Sequence, residues 1–157
     1  MFESLSWTWG LSLIVLTIAI HVMGVVLIAL AGMKVRARLA ARSLGLWHAI
    51  PIVVGVIGVV GLLLATLHGL EAAIWAVAYL WLGALDTPLE AMLFSVDSMA
   101  TRGASGLVLH QHWQMMGALE AVDGMLLFGI STAYIFAVMQ LYWPMLSELV
   151  MTRRHPR

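Results

Sequence analysis

Asp86-Thr87-Pro88-Leu89-Glu90-Ala91-Met92-Leu93-Phe94-Ser95-Val96-Asp97-Ser98-Met99-Ala100-Thr101-Arg102-Gly103-Ala104-Ser105-Gly106 is the stretch whose reading decides the fold. It starts like a helix and ends like a loop. Thr87 can cap, Pro88 suits a first turn, and Glu90 completes a capping box. Asp86 and Glu90 favour the positive end of the helix dipole. A helix over residues 88–100 rises roughly 20 Å, short of a hydrocarbon core of about 30 Å. Small residues and two glycines around Arg102 then suit irregular backbone at 101–106. Such backbone is tolerated at membrane depth only when buried in protein or lining a water-filled path. The pattern is that of a re-entrant pore loop.

The surroundings supply the membrane. The chain of 157 residues is 62% hydrophobic and 10% charged, with a mean hydropathy of +0.99. A soluble domain of this size has too little interior to hide that much apolar surface, so lipid is the expected solvent. The expected fold class is an all-α integral membrane protein of three or four transmembrane helices, plus a pore helix and filter-like loop. A net charge of zero gives no reason to expect nucleic-acid binding. With no cysteine there is no disulfide, thiolate metal site or Cys nucleophile. No nucleotide fingerprint or zinc spacing occurs, so no enzyme, cofactor or metal is assigned. His110-Gln111-His112 is a weak metal signal, read as a solvated loop. The eleven methionines read as packing.

Charge clusters set the topology. Residues 10–33 read as a retained span rather than a signal peptide. Ala29-Leu30-Ala31 mimics a cleavage site, but Lys34, Arg36, Arg38 and Arg42 follow at once. Trp7 and Trp9 mark an interface. Leu44 to Leu85 carries one formal charge, Glu71. As one helix it would extend roughly 60 Å, so length alone allows two spans breaking near His68-Gly69. Seven of the eight basic residues fall at 34–42 and 153–157, and both clusters should be cytoplasmic. An even number of crossings must separate them. With one crossing after the loop, residues 44–85 make one long, tilted crossing, with Pro51 in its first turn. Three spans are therefore preferred to four, with the N-terminus outside. The expected parts are a first span and basic loop (1–43), a pore module (44–147) and a basic tail (148–157). Within the module the pore helix covers 88–100, the loop 101–106 and the inner helix 113–147.

Polar residues inside apolar helices are the functional suspects. His21 lies within the first span, where it can bond a neighbouring helix or serve an ion path. His68 and Glu71 share a helix face, as do Glu120 and Asp123. Gly55, Gly58 and Gly61 would let helices approach closely.

The order of parts resembles the pore module of potassium channels, and most closely small bacterial membrane proteins of the potassium-channel family. The residues that carry the resemblance begin with His68, Glu71, Trp75-Ala76, Tyr79 and Gly83. Ser95, Ser98-Met99, Thr101 and Gly103 continue it. Trp113, Gly117 to Ala121, Gly124 and Phe128 to Ala133 complete it. It covers roughly residues 62–140. The resemblance implies a homotetramer in a bacterial inner membrane, with four loops around one axis and a monovalent ion as cargo. It implies inner-helix gating, with Gly124 or Gly129 as the hinge.

The family filter reads close to T-x-T-T-x-G-Y-G-D. Here Thr101 and Gly103 match, while Arg102, Ala104, Ser105 and Gly106 depart from it. A potassium filter replaces the ion's hydration shell with backbone carbonyls. Ser105 disfavours the backbone that the second glycine allows, and Ala104 cannot brace the filter as the family's aromatic does. In the family's geometry the Arg102 side chain lies behind the loop and needs an acid, with Asp97, Glu71, Glu120 and Asp123 as candidates. Pointing the other way, it would repel cations. Three functions stay open. They are a channel of altered selectivity, a non-conducting scaffold, sensor or subunit of a membrane complex, and proton or metal-ion transport through His68, Glu71, Glu120 and Asp123.

Overall fold

The computed structural model describes residues 2–40, 45–103 and 105–154. The expectations placed on Arg42, Ala104 and Arg157 lie outside the described residues. The described residues form, in order, α1 (Phe2–Ala40), α2 (Leu46–Trp81), α3 (Pro88–Met99) and α4 (Gln114–Arg154). A single 3-10 turn, Gln111–Trp113, precedes α4, and no strand occurs among the described residues. Among the described residues, three helices are long and apolar enough to cross a membrane, over Leu5–Leu39, Trp47–Trp81 and Gln114–Pro144.

The helices outrun their sequence boundaries. α1 begins well before residue 10, and Lys34, Arg36 and Arg38 extend it rather than forming a loop. Lys and Arg are good helix formers, so a basic cluster alone does not stop a helix. α2 passes through His68-Gly69 unbroken. One glycine costs an α-helix only about 1 kcal/mol, too little to break it without a proline or turn cluster beside it. Pro51 lies inside α2 rather than in its first turn, and α4 runs past residue 147 to Arg154.

α3 starts as its residues require. Thr87 is extended, at φ −123° and ψ 148°, and its Oγ1 accepts from the Glu90 backbone N–H at 3.2 Å. Glu90 does not close the box through the backbone. Its Oε2 takes the Thr87 hydroxyl proton at 2.9 Å instead. Thr87→Ala should cost about 1 kcal/mol, seen as a lower unfolding midpoint in detergent. Thr87→Ser should keep most of it.

The chain forms two compact units, Met1–Met23 with Thr66–Ile130, and Gly24–Ala65 with Ser131–Arg157. The first holds the larger core, built on Trp75, Tyr79, Met116 and Leu119 beneath α3. Small residues bring its helices close. A Cβ on Gly124 would lie 2.3 Å from the Met99 carbonyl oxygen, and one on Gly117 2.9 Å from the Phe94 ring. Gly124 therefore lets the end of α3 rest directly on α4.

The second unit packs Val53 against Val138 and Tyr142. Gly55, Gly58 and Gly61 have open space around them, so the close helix approach expected at this stripe is not made among the described residues. Val54 and Leu62 are 64% and 69% exposed. In water each such side chain would forgo about 1.5–3 kcal/mol of burial. Lipid removes that deficit.

Candidate functional site

The loop after α3 is built on left-handed backbone. The helix closes with Thr101 N–H donating to Ser98 O at 2.8 Å and Arg102 N–H to Asp97 O at 3.0 Å. Thr101 (φ +54°), Gly103 (φ +58°) and Gly106 (φ +70°) are all left-handed. Glycine takes that region freely. For a β-branched residue it is an outlier costing on the order of 1–3 kcal/mol, so the surrounding bonds must hold Thr101 there.

Asp97 does much of the holding. It is 7% exposed and faces the loop from the last turn of α3. Its Oδ1 pairs with Arg102 Nε at 3.1 Å, and its Oδ2 accepts the Ser105 backbone N–H at 2.9 Å. One carboxylate thus ties both ends of 102–105. Arg102 itself is 69% exposed, so the pair adds little stability through charge and acts chiefly by position. Of the four acids considered for Arg102, Asp97 is its partner. Glu71, Glu120 and Asp123 are engaged elsewhere. Beside the loop an open cleft of about 360 Å³ is lined by Phe94, Ser98, Gly103, Ser105, Leu109 and Gly117.

The second feature is a set of buried polar groups in the same unit. Tyr79 donates to Glu120 Oε2 at 2.7 Å. Ser95 Oγ contacts both Glu120 Oε1 and the Ala72 carbonyl oxygen. Ser98 Oγ donates to Gly117 O at 2.9 Å. One turn along α4, Asp123 Oδ2 accepts from Thr17 Oγ1 at 2.6 Å and from Trp75 Nε1 at 3.0 Å. Glu71 stands between two imidazoles, with His21 Nδ1 at 2.9 Å from Oε1 and His68 Nδ1 at 3.3 Å from Oε2. His68 stacks on Phe128 at a centroid distance of 4.4 Å. Glu71, Glu120, Asp123 and His21 are all fully buried, and no Lys or Arg pairs with these acids among the described residues. Three buried acids without Lys or Arg are expensive unless polar groups meet them. Tyr79 and Ser95 contact Glu120, Thr17 and Trp75 contact Asp123, and His21 contacts Glu71, while Glu71 Oε2 and Asp123 Oδ1 accept no hydrogen bond among the described residues.

The structure therefore joins His68 with Glu71, as their spacing predicts, and adds His21 from α1. Glu120 and Asp123 share a face but bond different partners. Thr17 had no signal in the sequence, since a threonine in an apolar helix usually bonds its own preceding turn. Its Oγ1 also lies 2.8 Å from Leu13 O, so the single hydroxyl proton has this local acceptor as well as Asp123 within reach. His110, just before the 3-10 turn, and His112, on it, are exposed, their rings 6.5 Å apart. Gly129 has open space around it, unlike Gly124.

No family model matches this chain, and no curated protein or solved structure matches it.

Proposed function

We propose that the chain is a pore-loop ion channel of potassium-channel type with altered selectivity, assembled as a homotetramer. In this reading α3 is the pore helix, residues 101–106 line the axis, and α2 and α4 are the outer and inner helices. The N-terminus lies outside and the basic tail is cytoplasmic, by the bias of Lys and Arg. One observation carries the reading. A short capped helix between two apolar helices ends in a loop of three left-handed residues, tied down by Asp97. A filter of potassium type needs backbone carbonyls held in fixed positions, and a loop tied down in this way can supply them. The buried polar set supports it from behind, since Ser95 and Ser98 fasten α3 to Glu120 and Gly117. Around the axis of a tetramer, four exposed Arg102 guanidiniums, each paired on one side with Asp97, would disfavour potassium relative to anions.

Flux of potassium, sodium and chloride from liposomes tests this. Measurable flux with chloride favoured is expected, and Arg102→Gln should move the preference toward cations by about tenfold, the effect of roughly 1.4 kcal/mol at the loop. No flux of any of the three, across pH and voltage, rejects conduction and leaves a non-conducting scaffold of this fold.

A further inference from the structure

We propose that His21, His68 and Glu71 form a binding site for a divalent transition-metal ion of the zinc class. The three side chains come from two helices, and each offers one donor atom, all within 4.8 Å of one another. The donor spacing suits such an ion. Tetrahedral zinc with bonds of 2.0–2.1 Å sets its donors about 3.3 Å apart. The two nitrogens stand 2.9 and 3.3 Å from the Glu71 oxygens. No donor pair is further apart than 4.8 Å, so side-chain adjustments of up to about 1.5 Å would seat an ion. Two imidazoles and a carboxylate form a donor set that leaves one position open. The nitrogens also set the metal class. Calcium and magnesium take oxygen donors, whereas zinc, cobalt and their neighbours accept imidazole readily.

Charge is the second observation. A divalent ion on one carboxylate would leave a net positive charge in an apolar interior. Asp123 supplies the missing negative charge. It acts electrostatically on both Glu71 and His21, and its Oδ1 is buried with no hydrogen-bond partner among the described residues. Together the two carboxylates match the ion's charge. Stacking on Phe128 and the ring of His21, 5.0 Å away, limits the positions open to His68. The inference is independent of conduction.

The test uses the full chain, free of any affinity tag, purified in detergent and stripped with a chelator. Titration with Co2+ should show one ion per chain, with the intense visible absorption of a four- or five-coordinate site, bleached by Zn2+. His21→Ala and His68→Ala should each weaken Co2+ binding by more than about 100-fold, and Asp123→Asn by about 10–100-fold, the usual loss from an outer-shell partner. His110→Ala/His112→Ala, on the exposed turn, should bind like the parent chain. If the alanine variants do not fold, X-ray absorption on the cobalt-loaded parent chain decides. Two imidazole donors support the site, and an all-oxygen shell overturns it. Binding that follows His110 and His112, or no stoichiometric binding to the folded parent chain, also overturns it.

Discussion

Glu120→Ala is expected to cost the fold several kcal/mol, whereas Glu120→Gln should leave it nearly intact. The contrast follows from counting protons. Ser95 has one hydroxyl proton but stands within bonding distance of both Ala72 O and Glu120 Oε1. If that proton goes to Ala72 O, the contact with Glu120 needs a proton from the carboxyl. Tyr79 meanwhile donates to the other oxygen of the same group. A neutral acid satisfies every partner, and so does a glutamine amide, whose NH2 faces Ser95 and whose oxygen faces Tyr79. Alanine removes both contacts and leaves two hydroxyls in a fully buried site. Each stranded group costs about 1–3 kcal/mol, and the cavity adds to it. Thermal unfolding in detergent separates the outcomes. If Glu120→Gln unfolds as early as Glu120→Ala, the carboxyl is needed as an anion and the proton count is wrong.

Gly124→Ala should be nearly as damaging, and Gly124→Val more so. A methyl group at this position would lie 2.3 Å from Met99 O, 2.7 Å from Met99 Cα and 2.8 Å from Met99 C. The obstacle is backbone, which cannot swing aside as the tip of a side chain can. Overpacking costs about 1–3 kcal/mol in ordinary cores, and here the upper end is expected. α3 would be pushed off α4, and the Asp97 contacts with the loop would go with it. Gly129→Ala is the control, because nothing lies within 4 Å of its added Cβ. Replacing a helical glycine by alanine there should stabilise by up to about 1 kcal/mol. Equal unfolding midpoints for the two alanine variants would show that α3 does not rest on Gly124 in the membrane-embedded protein. In sequence the two glycines are equivalent as hinge candidates. Their surroundings make Gly124 a contact point and leave only Gly129 free of one.

The contrast between these glycines shows where the sequence is legible. The three apolar helices could be read because length and hydropathy are local properties. The start of α3 could be read because Thr87, Pro88 and Glu90 act on backbone only a turn away. The His68–Glu71 pair was legible for the same reason, at a spacing of three residues. His21 sits 50 residues from Glu71 and Thr17 106 residues from Asp123. Their pairing depends on how one helix is rotated against another, which packing decides and no local pattern records. The end of α1 is not legible from charge, because Lys34, Arg36 and Arg38 continue the helix rather than stop it. The sequence offers Arg102 four acids, and the turn after α3 brings Asp97 to it.

The buried acids of α4 bear on the order in which the chain enters the bilayer. α4 has a mean hydropathy of 1.7 over its best window, against 2.8 and 2.7 for the two helices before it. An aspartate at the centre of a lone helix costs about 2.5–3.5 kcal/mol on insertion scales, and α4 carries Glu120 as well as Asp123. Its donors, Thr17, Trp75 and Tyr79, all belong to helices made earlier. The synthesis order therefore has a chemical logic. The first two spans prepare a lateral docking face, and the third leaves the translocation machinery as a client of its predecessors rather than as an independent segment.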